Sequence, residues 1–191
     1  MKVLMTLQFG PARRGSTRAL LPAVAILVAL TGCSSKKERA YALPDKLCGT
    51  PVAPATLAPL LPAGDKLTQG KNPGSEEERC SVHVDGKSAM YTGALWEGVD
   101  DTPRRVARWE QGVDPLDTPE GNDIIHGPTG AVARVAGCPA AKKGDVMYVS
   151  MRLVEGEGVK LREVDEKYTL AFIRSYAKGI RQTERCAGKH Q

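Results

Sequence analysis

The residues of this chain whose type and spacing allow chemistry are four cysteines: Cys48, Cys80, Cys138 and Cys186. Successive members lie 32, 58 and 48 residues apart, whereas a structural zinc site usually takes its thiolates from close pairs such as C-x-x-C. We therefore expect no metal here and, in an exported protein, two disulfide bonds. Three pairings are possible. We favour Cys48 with Cys80 and Cys138 with Cys186, because each pair flanks a plausible supersecondary unit.

The first 33 residues indicate export. Four basic residues precede an uncharged, mostly apolar run of 12 residues at 19–30, which is typical of a secretory signal and shorter than the roughly 20 residues that span a bilayer. The following Thr31-Gly32-Cys33 completes a segment that resembles the lipobox of bacterial lipoproteins. The resemblance implies cleavage before Cys33 and a diacylglyceryl thioether on its sulfur. Arg13-Arg14 leaves twin-arginine export open as an alternative to the general route.

These features predict three segments. Residues 1–32 form the lipoprotein signal peptide, residues 33–42 form a polar, lipid-anchored tether, and residues 43–191 form a single extracytoplasmic domain. The formal net charge is +5, but four of the 27 basic residues and none of the 22 acidic residues lie in the leader, so the remaining 159 residues carry +1. Because nucleic-acid binding needs clustered cations, we expect no nucleic-acid partner.

Two hairpins are expected to position the cysteines. Residues 80–84 alternate in polarity, Asp85-Gly86 is a strong signal for a two-residue turn, and residues 88–96 form the returning strand. The second hairpin pairs residues 131–136 with residues 145–154. In that returning strand four apolar side chains share one face, namely Met147, Val149, Met151 and Leu153.

Helices are expected at both ends of the domain. Residues 54–61 predict a short helix behind Pro54, and residues 164–180 predict a long amphipathic one, with apolar side chains every four residues. Residues 70–78 are expected to form an exposed loop, and residues 106–109 a short strand or a helical turn. The predicted fold class is α+β: a mostly antiparallel sheet of two hairpins, with the short N-terminal helix and the long C-terminal amphipathic helix packed on it.

The histidines predict no catalytic constellation. His83 is expected on the polar face of its strand, His126 in a loop, and His190 in the C-terminal tail. Nucleophile and phosphate-binding motifs such as G-x-S-x-G are missing from the sequence. An enzyme that uses His126 with Asp123 is therefore the last-ranked hypothesis, and we expect no catalytic residue and no cofactor.

Two charged groups have other interpretations. Four acidic residues recur at intervals of three, but prolines interrupt them and a solvated loop is expected rather than a calcium site; they are Asp114, Asp117, Glu120 and Asp123. Arg104, Arg105 and Arg108 lie beside Trp109. This basic-aromatic cluster is a possible surface contact with anionic lipid head groups or cell-wall polymers, and a simple solvated face is the alternative.

A family resemblance is carried by the lipobox at Cys33 together with several later segments. They are Leu47-Cys48-Gly49-Thr50-Pro51, the leucines of 57–61, Cys80 at the start of a strand, Thr129-Gly130-Ala131-Val132-Ala133-Arg134-Val135, Cys138, and a C-terminal helix before Cys186. Together they resemble the small exported lipoproteins of actinobacteria, including those grouped as a domain of unknown function. The resemblance implies a lipid-anchored, disulfide-containing α+β domain on the outer face of the cytoplasmic membrane.

The expected function is therefore that of a non-enzymatic lipoprotein, attached to the membrane through a lipid on Cys33. It would act through contacts with an envelope protein or a cell-wall polymer. The alternative is a carrier or sensor of a small apolar or anionic ligand. Its pocket would open between the sheet and the C-terminal helix, lined by Met147, Met151, Phe172 and Tyr176.

Overall fold

The described part of the chain forms one large sheet with helices on both of its faces. The computed structural model describes residues 38–72, 78–109, 118–139, 145–155 and 164–187. In chain order the elements are β1 (Lys46–Leu47), β2 (Thr50–Pro51), α1 (Pro54–Leu57), β3 (Leu67–Asn72), β4 (Glu78–Val84), β5 (Lys87–Gly98), α2 (Pro103–Trp109), β6 (Thr118–Glu120), β7 (Ile124–Gly127), β8 (Gly130–Val135), β9 (Asp145–Leu153) and α3 (Glu166–Ile180). The α+β class and the mostly antiparallel sheet are thereby confirmed.

The sheet has seven strands in the order β3-β4-β5-β9-β8-β7-β6, and β1 pairs with β2 in a small separate hairpin. Both predicted hairpins are present, as β4 with β5 and β8 with β9, and they join because β5 pairs with β9. The sheet has more strands than the two hairpins that the sequence predicted. β3 extends one edge of the sheet, and β7 followed by β6 extends the other.

The Asp85-Gly86 turn has the geometry that its sequence predicted. Both residues have positive φ angles, +52° for Asp85 and +78° for Gly86, as a type I′ turn requires. His83 lies opposite Ser88, as the two-residue turn requires, and an irregularity between Val82 and His83 then places Val82 opposite Met90 instead of Ala89. The turn and this irregularity together fix which side chains of β4 and β5 share a face.

The loop expected at 70–78 is wrong for its first three residues and for its last, Glu78, which begins β4. Gly70, Lys71 and Asn72 belong to β3 and pair with β4, while residues 73–77 lie outside the described residues. Glycine, lysine and asparagine have weak strand propensity. Pairing with β4 overrides that propensity at this edge, because the ladder is made by backbone groups that every residue carries.

Helix α3 covers what we call the inner face of the sheet. Asp165 caps its N-terminus by accepting a hydrogen bond from the Lys167 N–H at 3.0 Å. The side-chain and backbone hydrogen bonds from Lys167 lower the pKa of Asp165. Phe172 and Ile173 are fully buried in the main core together with β9. The long C-terminal amphipathic helix packed on the sheet is thereby confirmed.

Helix α2 covers part of the opposite face, which we call the outer face. Val106 and Ala107 pack there on Leu95, Val132 and Tyr148 in a second, smaller core. The segment predicted as a strand or a helical turn is thus helical. Near the N-terminal end of the described chain, α1 is a short helix at Pro54–Leu57, and it ends before residue 61, where the sequence predicted its end.

Two disulfides tie the peripheral segments to the sheet. Cys48 is bonded to Cys80 with a Cα–Cα distance of 5.8 Å, and Cys138 to Cys186 with a Cα–Cα distance of 4.7 Å. These are the pairs that the sequence favoured. The first joins the β1–β2 hairpin to β4, and the second joins the end of β8 to the turn that follows α3.

Within the described ranges no helix is both long enough and apolar enough to cross a membrane. The predicted signal peptide, Cys33 and the first half of the predicted tether fall in residues 1–37, outside the described residues. The lipid anchor and the segment boundaries therefore stay predictions.

Candidate binding site at the start of helix α2

A cleft of about 490 Å³ lies on the outer face, where α2 begins beside the β6–β7 turn. Its lining comes from residues 99–104, from several residues between 119 and 125, from Arg134 on β8 and from Tyr148 on β9. The volume falls within the range of about 300–1,000 Å³ that is common for small-molecule sites. Strands β8 and β9 supply a rigid floor, and the two turns supply the walls.

Tyr148 lies in the floor of this cleft. Strand alternation turns it to the outer face, where the residue is fully buried. Its hydroxyl donates a hydrogen bond to the backbone carbonyl of Asp101. Burial raises the pKa of Tyr148, the Arg134 guanidinium opposes this, and the carboxylates of Asp101, Asp123 and Glu97 raise it further. The hydroxyl is therefore protonated at neutral pH and ties the segment before α2 to β9.

That segment is held by further local contacts. The Asp101 N–H donates to the Gly98 carbonyl at 2.9 Å, and the Asp101 carboxylate pairs with Arg105 Nε at 2.9 Å. Thr102 is the N-cap of α2, since its hydroxyl accepts from the Arg105 N–H at 3.2 Å. Pro103 then occupies the first helical position, where its missing N–H costs nothing. The wall of the cleft on this side is thus well determined by its sequence.

Two charged side chains in the lining have no partner of opposite charge within the described residues. Arg134 is half-buried, and its guanidinium makes no hydrogen bond or ion pair to any described group. Asp100 is exposed and likewise has no described partner. The other carboxylate of the lining, on Asp101, is already paired with Arg105. Among the described residues, the cleft therefore presents one unpaired cation and one unpaired anion.

Two of the apolar residues in the lining, Val99 and Pro119, are exposed. Val99 is 52% exposed, and it is the one large hydrophobic residue classed as exposed in the described ranges. It lies in the cleft with Pro103, Pro119, Ile124 and Ile125. The site thus combines a small exposed aliphatic surface with the two charges that have no described partner.

The predicted basic-aromatic cluster lies on α2, beside the cleft. Arg104, Arg105 and Arg108 are all exposed, and Arg104 also lines the cleft. Arg104 and Arg108 are four residues apart and so share one side of the helix, while the Arg105 charge is balanced by Asp101. The side chain of Trp109 lies outside the part of the chain that the structure describes.

The histidine predictions have different outcomes. His83 is half-buried, and its Nδ1 lies 3.3 Å from Ser88 Oγ, which also accepts from the Tyr91 hydroxyl. His126 was expected in a loop, and this is wrong. It is a residue of β7 and is only 3% exposed, because the short Ile124–Gly127 strand pairs with β8.

His126 Nδ1 has no hydrogen-bond partner among the described residues. No described contact joins it to Asp123, its partner in the enzyme hypothesis. Ile124 belongs to the inner-face core and Ile125 to the outer-face core, so alternation places His126 on the inner face with Ile124. His126 and the cleft are therefore on opposite sides of the sheet. His190 lies outside the described residues.

The acidic series does not assemble into a metal site where it is described. Glu120 on β6 pairs with Arg174 of α3 at 2.7 Å, Asp123 lies in the β6–β7 turn, and Asp114 and Asp117 fall outside the described residues. In the described ranges no group of three or more His, Cys, Asp or Glu side chains could hold a metal ion.

The side chains proposed to line an inner pocket lie in the main core. Met147, Met151, Phe172 and Tyr176 are each at most 3% exposed. The Phe172 and Tyr176 rings stack with centroids 5.8 Å apart, and the Tyr176 hydroxyl accepts from Thr92 Oγ1 at 3.2 Å. The cleft described above is on the other face of the sheet, and it was missed because its walls are distant in sequence. The sequence signal that could have indicated the cleft was Arg134, a charged residue between Ala133 and Val135 in a strand.

Comparison with known proteins adds no assignment to this geometry. No protein-family model, no curated protein and no solved structure matches the chain.

Proposed function

We propose that this protein is a lipid-anchored extracytoplasmic lipoprotein without enzymatic activity, which acts by binding the cell envelope through helix α2. The observation that carries the proposal is the set of three exposed arginines on that helix. They stand on the outer face of a rigid sheet, and the predicted tether to Cys33 would hold them close to the membrane. Two disulfides agree with an oxidising compartment outside the cytoplasm.

The magnitude expected for such a surface is modest. A basic residue near an anionic bilayer contributes about 1 kcal/mol, and Arg105 is already paired with Asp101. Arg104 also has an interaction of its own within the protein, so the whole surface would strengthen attachment by about 1–2 kcal/mol. This is sufficient to orient a protein that a lipid already anchors, but not to hold an unanchored one on the membrane.

Arg104→Glu/Arg108→Glu tests this surface, and Lys178→Glu/Arg181→Glu is the matched control. Both pairs are exposed, and both changes alter the charge by the same amount; the control pair lies at the end of α3, which packs on the inner face. We expect only the first variant to lose binding to phosphatidylglycerol vesicles or to purified cell wall, measured by cosedimentation. Equal loss in both variants would show that net charge alone is responsible, and would reject α2 as the contact surface.

The anchor has a separate test. Mass spectrometry of the N-terminal peptide is expected to find a diacylglyceryl modification on Cys33, and Cys33→Ala is expected to release the protein from the membrane fraction. A Cys33→Ala protein that remained in the membrane fraction would contradict the anchor.

The second candidate function is that of a carrier or sensor of a small ligand. The cleft at the start of α2 favours it, because a half-buried guanidinium without a described partner lines a cavity of about 490 Å³. Calorimetric titration at two temperatures with a panel of small anions, apolar compounds and amino acids tests this candidate, and the absence of binding heat for every compound at millimolar concentration would reject it.

A further inference from the structure

We propose that the cleft at the start of α2 binds a small zwitterion with an aliphatic body, that is, an amino acid or a short peptide with both ends free. This rests on the second proposed function and narrows it to one ligand class. It does not depend on the envelope contact of α2.

The first step is the charge pattern of the lining. Four charged side chains line the cleft: Asp100, Asp101, Arg104 and Arg134. Asp101 is paired with Arg105, and Arg104 has an interaction of its own. Arg134 and Asp100 are left with no described partner. A ligand that carries one negative and one positive group is complementary to these two side chains, whereas a simple anion leaves Asp100 facing it with like charge.

The second step is what each charge can recognise. A guanidinium offers parallel N–H donors that fit the two oxygens of a carboxylate, and Arg134 is held by β8, whose backbone N–H donates to the Asp123 carbonyl at 2.7 Å. A carboxylate such as that of Asp100 accepts hydrogen bonds from an ammonium group. The Tyr148 hydroxyl is fully buried and donates to Asp101, so it holds the floor of the cleft in place and does not contact the ligand.

The third step is the apolar wall. Val99 and Pro119 are the exposed apolar residues of the lining, and they offer aliphatic surface to a ligand. Burying this surface favours a ligand with a hydrocarbon part. A free amino acid or dipeptide with an aliphatic side chain supplies the two charges and that hydrocarbon part in one molecule. Inorganic anions and sugars without an amine supply fewer of these features.

Calorimetric titration of the full-length protein with leucine, alanyl-leucine and leucyl-alanine tests the proposal. N-acetyl-alanyl-leucine and alanyl-leucine amide are the matched blocked ligands, since each lacks one charge. We expect at least one free compound to bind. Each blocked form is expected to bind at least about tenfold more weakly than its free counterpart, because a hydrogen bond to a charged group is lost. Arg134→Gln and Asp100→Asn are expected to lose binding to a similar extent.

Three controls keep the result specific. Arg152→Gln removes an arginine of β9 that stacks on Tyr91 outside the cleft, and Asp123→Asn removes a carboxylate next to the lining but not in it. Both are expected to retain the affinity, and the urea unfolding midpoint of every variant shows that it is folded. Arg108→Glu, which changes the envelope surface outside the cleft, is also expected to retain it.

The failures are distinguishable. If N-acetyl-alanyl-leucine binds as well as alanyl-leucine, the cleft is an anion site and the zwitterion proposal is overturned, while the ligand-binding function survives. If none of the free compounds binds at millimolar concentration, the proposal is also overturned. Loss of binding in Arg108→Glu would place the ligand on α2 rather than in the cleft and would overturn it equally.

Discussion

Gly179, near the end of α3, gives the most sensitive test of how the helix sits on the domain. The residue is buried against the β1–β2 hairpin, and a Cβ atom built on it would lie 1.8 Å from the Pro51 carbonyl oxygen and 2.9 Å from its carbonyl carbon. Ordinary carbon–oxygen contacts begin near 3.3 Å. Gly179→Ala therefore requires the backbone of Pro51 or of α3 to move by about 1.5 Å.

The expected cost follows from two opposing effects. In an unhindered helix, replacing glycine by alanine stabilises by about 1 kcal/mol. Overpacking a core usually costs about 1–3 kcal/mol, and the upper value applies here because the clashing group is backbone and not a flexible side chain. We expect Gly179→Ala to lower the free energy of unfolding by about 2 kcal/mol, measured by urea denaturation with the disulfides intact.

Ala171→Gly is the matched control, because residue 171 is exposed on the same helix. It reports helix propensity alone and is expected to cost about 1 kcal/mol. If Gly179→Ala instead stabilises the protein by about the amount that Ala171→Gly destabilises it, then α3 does not approach Pro51 closely. The placement of the helix end on the hairpin would then be refuted.

Three further predictions concern other parts of the fold. Tyr148→Phe is expected to lower the free energy of unfolding by about 1 kcal/mol at pH 7, because the hydrogen bond to Asp101 is lost. Since the folded pKa of Tyr148 is raised, wild-type stability should also fall as the pH rises above about 10. An equal fall in the variant would show that Tyr148 is not its cause. Replacing Cys138 and Cys186 together by serine should lower stability by about 4 kcal/mol, since the bond closes a 48-residue loop; a loss below about 1 kcal/mol would contradict the loop-entropy estimate. Asp165→Ala should lower the melting temperature at pH 7, and because the folded pKa of Asp165 is lowered, its difference from wild type should shrink as the pH falls below about 4, whereas a constant difference would exclude a role for the charge.

The elements that the sequence predicted well are those with strong local signals. Asp85-Gly86 can satisfy two positive φ angles with little strain, and the four-residue spacing in α3 is long enough to be unambiguous. The favoured cysteine pairing depended on those elements, since it joined residues at their ends. Where a turn or a periodic stripe was present, local chemistry and tertiary structure agreed.

The elements that were missed have weak local signals. Strand β7 has four residues and β6 has three, including Pro119, so neither is long enough for alternation to be recognised. His126 was assigned to a loop because Gly127 and Pro128 follow it directly, although pairing with β8 buries it. Helix α2 is similarly short, and its amphipathic pattern rests mainly on Val106 and Ala107.

The cleft could not be found by a local pattern, because no two of its walls are adjacent in sequence. Residues 99–104 reach it after β5, the turn near 122 reaches it across the edge strands, and Arg134 and Tyr148 reach it from the floor. What the sequence does contain is the polarity of the two floor residues, since Arg134 and Tyr148 alternate with apolar residues that face the main core. A half-buried arginine and a fully buried tyrosine face the side of the sheet that only a seven-residue helix covers. A sheet with a long helix on one face and a short one on the other leaves part of that second face uncovered, and a half-buried charged residue that alternates toward it, here Arg134, is placed where a ligand can reach it.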